Sequence, residues 1–228
     1  MMETLDTLGR HSGPRGEVVL RRRHGGGVAV EELIVNGVFA MDSADTETER
    51  QLAEVALAGH SSPRVLVGGL GLGYTADQLL AAGIDHLDVV EIEECLVDWA
   101  YAGLTATLAR VANDPRVSLH AADVTAVLAG LRGPRGPWDA IVLDVDNGPD
   151  FLIHDTNSAL YTEPSLTAAY QQLTPGGTLA IWCQGPAPDL LATLRRLSPT
   201  VRPRSFHRSR EGRPLSYVIY TAARAGAD

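Results

Sequence analysis

Acids close three successive apolar runs of this chain, at Glu91, Asp123 and Asp144, and a glycine cluster at positions 68, 69, 71 and 73 stands ahead of the first of them. Glycines there let the backbone turn sharply and present bare N–H groups to a ligand. An acid ~20 residues beyond such a turn, at the end of the next strand, accepts hydrogen bonds from ribose hydroxyls. That places Gly69, Gly71 and Gly73 at a nucleotide and Glu91, with Ile92 beside it, at its ribose. Gly71-Leu72-Gly73-Tyr74-Thr75-Ala76 also satisfies the dinucleotide pattern, so the turn alone leaves the nucleotide open. The second acid decides: Asp123, followed by Val124, ends a third strand and is placed to accept from an adenine amino group, which suits adenosine.

Asp144 ends a fourth strand, where a carboxylate binds or deprotonates an amine acceptor, or else caps the next turn. The segment 145–162 is long and polar, with Asp146, Asn147, Asp150, His154, Asp155 and Asn157, and an acceptor site belongs there. His154 reads as a base near neutral pH or as a surface histidine. Tyr161 reads as a lid over the pocket or as a core tyrosine. No His/Asp pair has metal-ligand spacing, so no metal is expected.

The elements that position these groups follow from apolar patterning. Runs at 64–68, 87–91, 114–120 and 138–144 read as buried strands, 173–182 reads as a helix end, a turn and then another buried strand, and helical stretches at 93–102, 104–112 and 124–131 lie between the strands. The Gly/Pro-rich run 131–137 is a surface loop. Ahead of this, residues 1–16 lack periodicity and predict a loosely packed start. Short β-prone runs at 17–20, 28–35 and 38–40 follow, with a hairpin signal at Asn36-Gly37. Arg21-Arg22-Arg23 reads as a solvated sheet edge or an anion site, the edge being preferred. A helix then runs from the acidic cap at 42–47 to Leu57. Strands at 201–206 and 214–222, joined by a basic turn at 207–214, finish the chain. The expected division is N-terminal β-strands and a lead-in helix over 1–58, and a Rossmann-like ligand-binding domain over 59–228.

Composition excludes several functions. The 228 residues carry 45% hydrophobic content and a net charge of −9, which supports a proper core and argues against a nucleic acid partner. All 19 basic residues are arginine, so Schiff-base chemistry and a P-loop lysine are excluded. Neither a secretory signal nor an 18-residue apolar run is present, and Cys95 and Cys183 lack metal spacing, so the expectation is a cytoplasmic protein with no membrane partner.

The ordered set of the glycine loop 68–73, Val90-Glu91-Ile92-Glu93, Asp114-Pro115-Arg116-Val117, Asp123, Asp144, Ser158-Ala159-Leu160-Tyr161 and Leu173-Thr174-Pro175-Gly176-Gly177 resembles the spermidine synthase-like branch of the class I S-adenosylmethionine-dependent methyltransferases, over roughly residues 30–222. The resemblance implies a doubly wound, mostly parallel α/β sheet with an antiparallel C-terminal hairpin and a small N-terminal β-extension. It also implies a possible homodimer. In that family a glycine-loop aspartate holds the aminopropyl amine, and Leu72 stands in its place here. Glu49-Arg50 replaces a Tyr-Gln pair, and Asn147 replaces a second acid after the catalytic aspartate. Arg50 would suit the carboxylate of intact S-adenosylmethionine.

These departures favour a methyltransferase that takes S-adenosylmethionine and a small-molecule acceptor. The alternatives are an aminopropyltransferase using decarboxylated S-adenosylmethionine, with Glu47 or Glu49 replacing the missing acid, and a non-catalytic adenosine-ligand binding protein. An NAD-dependent oxidoreductase is disfavoured by Asp123 and the terminal hairpin.

Overall fold

The computed structural model describes residues 3–25, 27–210 and 213–226, with the side chains of Asp155, Ser209, Arg210 and residues 213–215 outside that description. Four antiparallel strands come first: β1 (Thr4–Gly13), β2 (Gly16–His24), β3 (Val30–Val35) and β4 (Val38–Asp42), in that spatial order. Asn36 and Gly37 both take positive φ (54° and 75°), the type I′ geometry that matches strand twist and turns β3 into β4. The expected loose start is instead β1, paired with β2 along its length. The arginine run is not an edge either, because β2 lies between β1 and β3. Arg21 and Arg23 both bond Glu32 across the strand pair (2.7 and 2.8 Å), and Arg22 bonds Glu31 (3.0 Å) on the other face. Burial pushes Glu32 up, yet the two guanidiniums more than offset it and hold its carboxyl below the usual range.

Helix α1 (Glu47–Ala56) leads into a seven-stranded sheet built from β5 (Arg64–Gly68), β6 (His86–Glu91), β7 (Val117–Ala121), β8 (Trp138–Leu143), β9 (Leu173–Cys183), β10 (Arg202–Arg210) and β11 (Arg213–Ala223). Its order is β10-β11-β9-β8-β5-β6-β7. Strands β5 to β9 are parallel, and β11 runs antiparallel to both β9 and β10. Helices α2 (Tyr74–Ala81), α3 (Glu94–Tyr101), α4 (Ala106–Asn113), α5 (Val124–Leu128), α6 (Glu163–Gln171) and α7 (Pro188–Leu197) make the crossovers and flanks. The terminal hairpin is longer than the sequence predicts. His207 to Arg210 continue β10, and Glu211 and Gly212 lie outside the described residues.

Strand alternation explains why this sheet needs helices on both faces. Val65, Val67, Val89, Ala140 and Val142 belong to one core, and Leu66, Val90, Ile141 and Leu143 to the other. The first core also takes in Val18, Leu20, Leu33 and Val35, so the N-terminal sheet packs into the main hydrophobic interior. Among the described residues no helix is long and apolar enough to cross a membrane.

Candidate active site

In an open α/β sheet, ligands sit beyond the carboxyl ends of the strands where strand order reverses. Here that point lies between β5 and β8. A cavity of about 360 Å³ opens there, within the roughly 300–1,000 Å³ of small-molecule sites. It is lined by the glycine loop and the ends of β6 and β8, by α1 and β3–β4, and by Trp182, Gln184 and the β10–β11 hairpin.

The loop geometry is strict where it meets β8. Gly69 has φ 96°, and a Cβ there would lie 2.2 Å from the Asp144 carbonyl oxygen, so only glycine fits. Gly71 lines the cavity under the Met41 sulfur, whereas Gly73 is the N-cap of α2 and does not line it. Met41 Sδ also accepts from the Leu72 amide at 3.3 Å. Glu91 is buried and braces the loop: Oε2 accepts from Leu70 N (2.8 Å) and Oε1 from Glu93 N (2.9 Å). Burial pushes its carboxyl up, with the backbone bonds opposing. Lone pairs for ribose hydroxyls remain on each oxygen. Asp123 lines the cavity while its Oδ1 caps α5 through Thr125 N (2.8 Å), and Ile92 and Val124 line the cavity beside these acids.

Asp144 is deeply set at the end of β8, and Oδ2 accepts from Thr75 Oγ1 at 2.6 Å. Burial raises its pKa, partly opposed by that bond. Asp146 is fixed by Ile153 N (2.8 Å) and Asn157 Nδ2 (3.1 Å) on Oδ1. Its Oδ2 is a buried atom without a hydrogen-bond partner among the described residues, as is Trp182 Nε1. Burial raises the Asp146 pKa as well. His154 lines the cavity with Nε2 3.4 Å from Glu93 Oε1, an oxygen that also takes Arg15 Nε at 2.9 Å.

Besides Gly73, two expected site residues lie elsewhere. Arg50 projects from the outer face of α1, paired with Glu47 and Glu54, because the inward face is set by Glu49, Leu52, Ala53 and Ala56. Helical phase therefore sends Glu49 into the cavity and Arg50 to solvent. Tyr161 ends the 3₁₀ turn Asp155–Tyr161 and lines a separate, smaller cavity of about 170 Å³ with Pro149, Asp150 and Ala187. Of the two acids that could replace the one missing from the glycine loop, Glu49 lines the main cavity and Glu47 does not, while Met41, Trp182 and Tyr217 are lining residues that the sequence did not point to. The i, i+3, i+4, i+7 spacing of 49, 52, 53 and 56 was the available signal for Glu49. For the aromatic wall there was none, because it depends on the antiparallel register of β9 and β11. Trp182 stacks on Tyr217 (6.1 Å) and Tyr217 on Phe206 (5.2 Å), and the Tyr217 hydroxyl donates to Gln51. Among the described residues no cluster of His, Cys, Asp and Glu is arranged to hold a metal ion.

Leu72 does not face the cavity. Its side chain is 0% exposed and packs in the core, so an aspartate there would bury a charge. Leu72→Asp is expected to destabilise the fold by several kcal/mol rather than create an amine site, read as a lower denaturant midpoint. A variant of unchanged stability that gained affinity for an amine would contradict this placement.

No family model matches the chain. Among solved structures it is similar to a spermidine synthase in complex with the transition state analogue AdoDATO, with a TM-score of 0.78 and 16% identity over 97% of this chain and 75% of that one. The spermidine synthase from Thermotoga maritima gives 0.76 and 17% over 97% and 74%. A probable spermidine synthase from Corynebacterium glutamicum ATCC 13032 gives 0.65 and 17% over 94% and 79%. The fold is thus spermidine synthase-like. Curated relatives named polyamine aminopropyltransferase, from Mycobacterium tuberculosis (strain CDC 1551 / Oshkosh) and Mycobacterium bovis, are 27% identical over 150 residues, 63% of this chain. The match spans 28% of those relatives' length. These similarities overturn the expectation of a methyltransferase: the relatives named here are aminopropyltransferases and spermidine synthases. The substitutions at 72 and 147 had carried that expectation, together with Arg50, which lies outside the cavity.

Proposed function

We propose that the chain is an aminopropyltransferase that joins an aminopropyl group from decarboxylated S-adenosylmethionine to a small amine. The charge of the cavity carries this reading. Eight carboxylate residues line it (Asp42, Asp45, Glu49, Glu91, Glu93, Asp123, Asp144 and Asp146), and its one arginine among the described residues, Arg208, already pairs with Asp45 at 3.0 Å. Glu49, Asp144 and Asp146 make no ion pair among the described residues. Such a wall favours cations, whereas the carboxylate of intact S-adenosylmethionine would enter without a free partner. The unpartnered Asp146 Oδ2 and Trp182 Nε1 give an ammonium an acceptor and a polar acceptor group a donor.

When bound, decarboxylated S-adenosylmethionine would supply a propylamine group already activated by its sulfonium. Glu91 and Asp123 would hold the nucleoside, and the loop glycines would let the backbone come close to it. Asp144, oriented by Thr75, takes the proton that an ammonium acceptor must lose before its nitrogen can attack. Its raised pKa makes it the better base. Trp182, held by its stack on Tyr217, offers its indole ring to the carbon chain and cationic end of the acceptor.

Calorimetry with decarboxylated S-adenosylmethionine, the intact cofactor and NAD is the first test. The decarboxylated form is expected to bind at least about tenfold more tightly than the intact one, ~1.4 kcal/mol for one desolvated, unpartnered carboxylate. Labelled decarboxylated cofactor and 1,4-diaminobutane should then yield a labelled aminopropylated amine. Tighter binding of the intact cofactor or of NAD, or binding without transfer to any amine, would overturn the assignment.

A further inference from the structure

Glu49 is 8% exposed on the inward face of α1 and lines the same cavity as Asp144. Its Oε2 accepts from Thr48 Oγ1 at 2.6 Å, and no cation pairs with it among the described residues. The titratable groups that act on it are Asp144 beyond β8 and Asp45 ahead of α1, both acidic, while Tyr74 on α2 and Tyr217 on β11 feel its charge in turn. Arg208 on β10 is occupied by Asp45. Two desolvated carboxylates facing one space without a cation resist ionising together.

We infer that Glu49 and Asp144 form a two-carboxylate seat for a cationic amine, which enters in exchange for a proton held by the pair. The inference rests on the aminopropyltransferase reading and adds Glu49 to it as a second acid, beside Asp144, at the acceptor amine. The exchange is balanced: the amine arrives as its ammonium ion, the shared proton leaves to solvent, and both carboxylates become anionic around the new charge. Burial, reinforced by Asp144, pushes Glu49 up to about 7, so the exchange falls within an accessible pH range.

The sign follows from linkage. Below pH ~7 each bound cation displaces a proton, so affinity rises with pH; above it the seat is already empty of its proton and affinity levels off. Titration calorimetry with 1,4-diaminobutane and with spermidine, in buffers of differing ionisation enthalpy, is expected to show about tenfold tighter binding at pH 8 than at pH 6, with proton release at the lower pH. Glu49→Gln should bind weakly with a flat profile. It should also melt no lower than the parent at pH 8, because a carboxylate whose folded pKa is raised loses stability as pH rises from its unfolded value to its folded one, and the amide has no such loss. Amine binding in the parent without pH dependence or proton release overturns the exchange and leaves the aminopropyltransferase reading standing. Binding of neither amine at any pH overturns both. A Glu49→Gln variant that keeps the parent's pH slope assigns the proton to another group and also overturns the seat.

Discussion

Asp144→Asn is expected to lower kcat on the order of 10²-fold or more while changing the affinity for decarboxylated S-adenosylmethionine little. The amide keeps the shape and still accepts from Thr75, so the wall of the cavity survives and only charge and basicity are lost. Glu91 and Asp123, assigned to the nucleoside, lie at the ends of β6 and β7, away from the substitution. A fall in kcat without a matching change in binding is the signature of a group acting on the reacting centre. Steady-state kinetics of aminopropyl transfer, with a thermal melt to confirm folding, make the test. Turnover at the natural rate would reduce Asp144 to a turn cap.

The largest effect on stability is expected at the opposite end of the sheet. Asp88 on β6 is 2% exposed and accepts from Arg64 Nη2 (2.9 Å), Trp138 Nε1 (2.9 Å), His120 Nε2 (3.1 Å) and His86 Nε2 (3.2 Å). The guanidinium of Arg64 also lies over the Trp138 ring, 5.4 Å from its centroid. Asp88→Ala leaves the fully buried Trp138 N–H without an acceptor and Arg64 without its counter-ion, a loss of about 3–5 kcal/mol. For a chain of this size that is on the order of 10 °C in Tm. Burial pushes the Asp88 pKa up, but the bonds from Trp138 and the two histidines outweigh it and hold it below the usual carboxylate range. A depressed folded pKa means that this stability is complete above the unfolded value of ~3.9 and fades as pH falls through the folded one. The difference between parent and Asp88→Asn in denaturant melts should therefore shrink below about pH 4. Equal melting of parent and Asp88→Ala at pH 7 would show that the cluster contributes nothing net.

Much of this is legible in the sequence. Apolar runs ending in Glu91, Asp123 and Asp144, spaced by helical stretches, specify a parallel sheet with acids at one edge, because strand and helix periods are local properties of a chain. Asn36-Gly37 specified its turn for the same reason. Residues 4–13 were not legible as a strand, since their pairing with β2 is supplied from outside the segment. Nor could the arginine run reveal its partners, which sit on β3 at matching register positions.

The sequence by itself determined the sheet, the glycine loop and the placing of three acids at strand ends. Tertiary structure alone decided the character of the site. It rotated Glu49 inward and Arg50 outward, buried Leu72 in the core, left Tyr161 in a separate cavity, and brought Trp182 and Tyr217 to the wall. The physical reason is that a side chain's charge state and partners depend on what lies across the cavity from it. Those neighbours come from α1, β4, β9 and β11, elements as much as 176 positions apart in the chain, as Met41 and Tyr217 are.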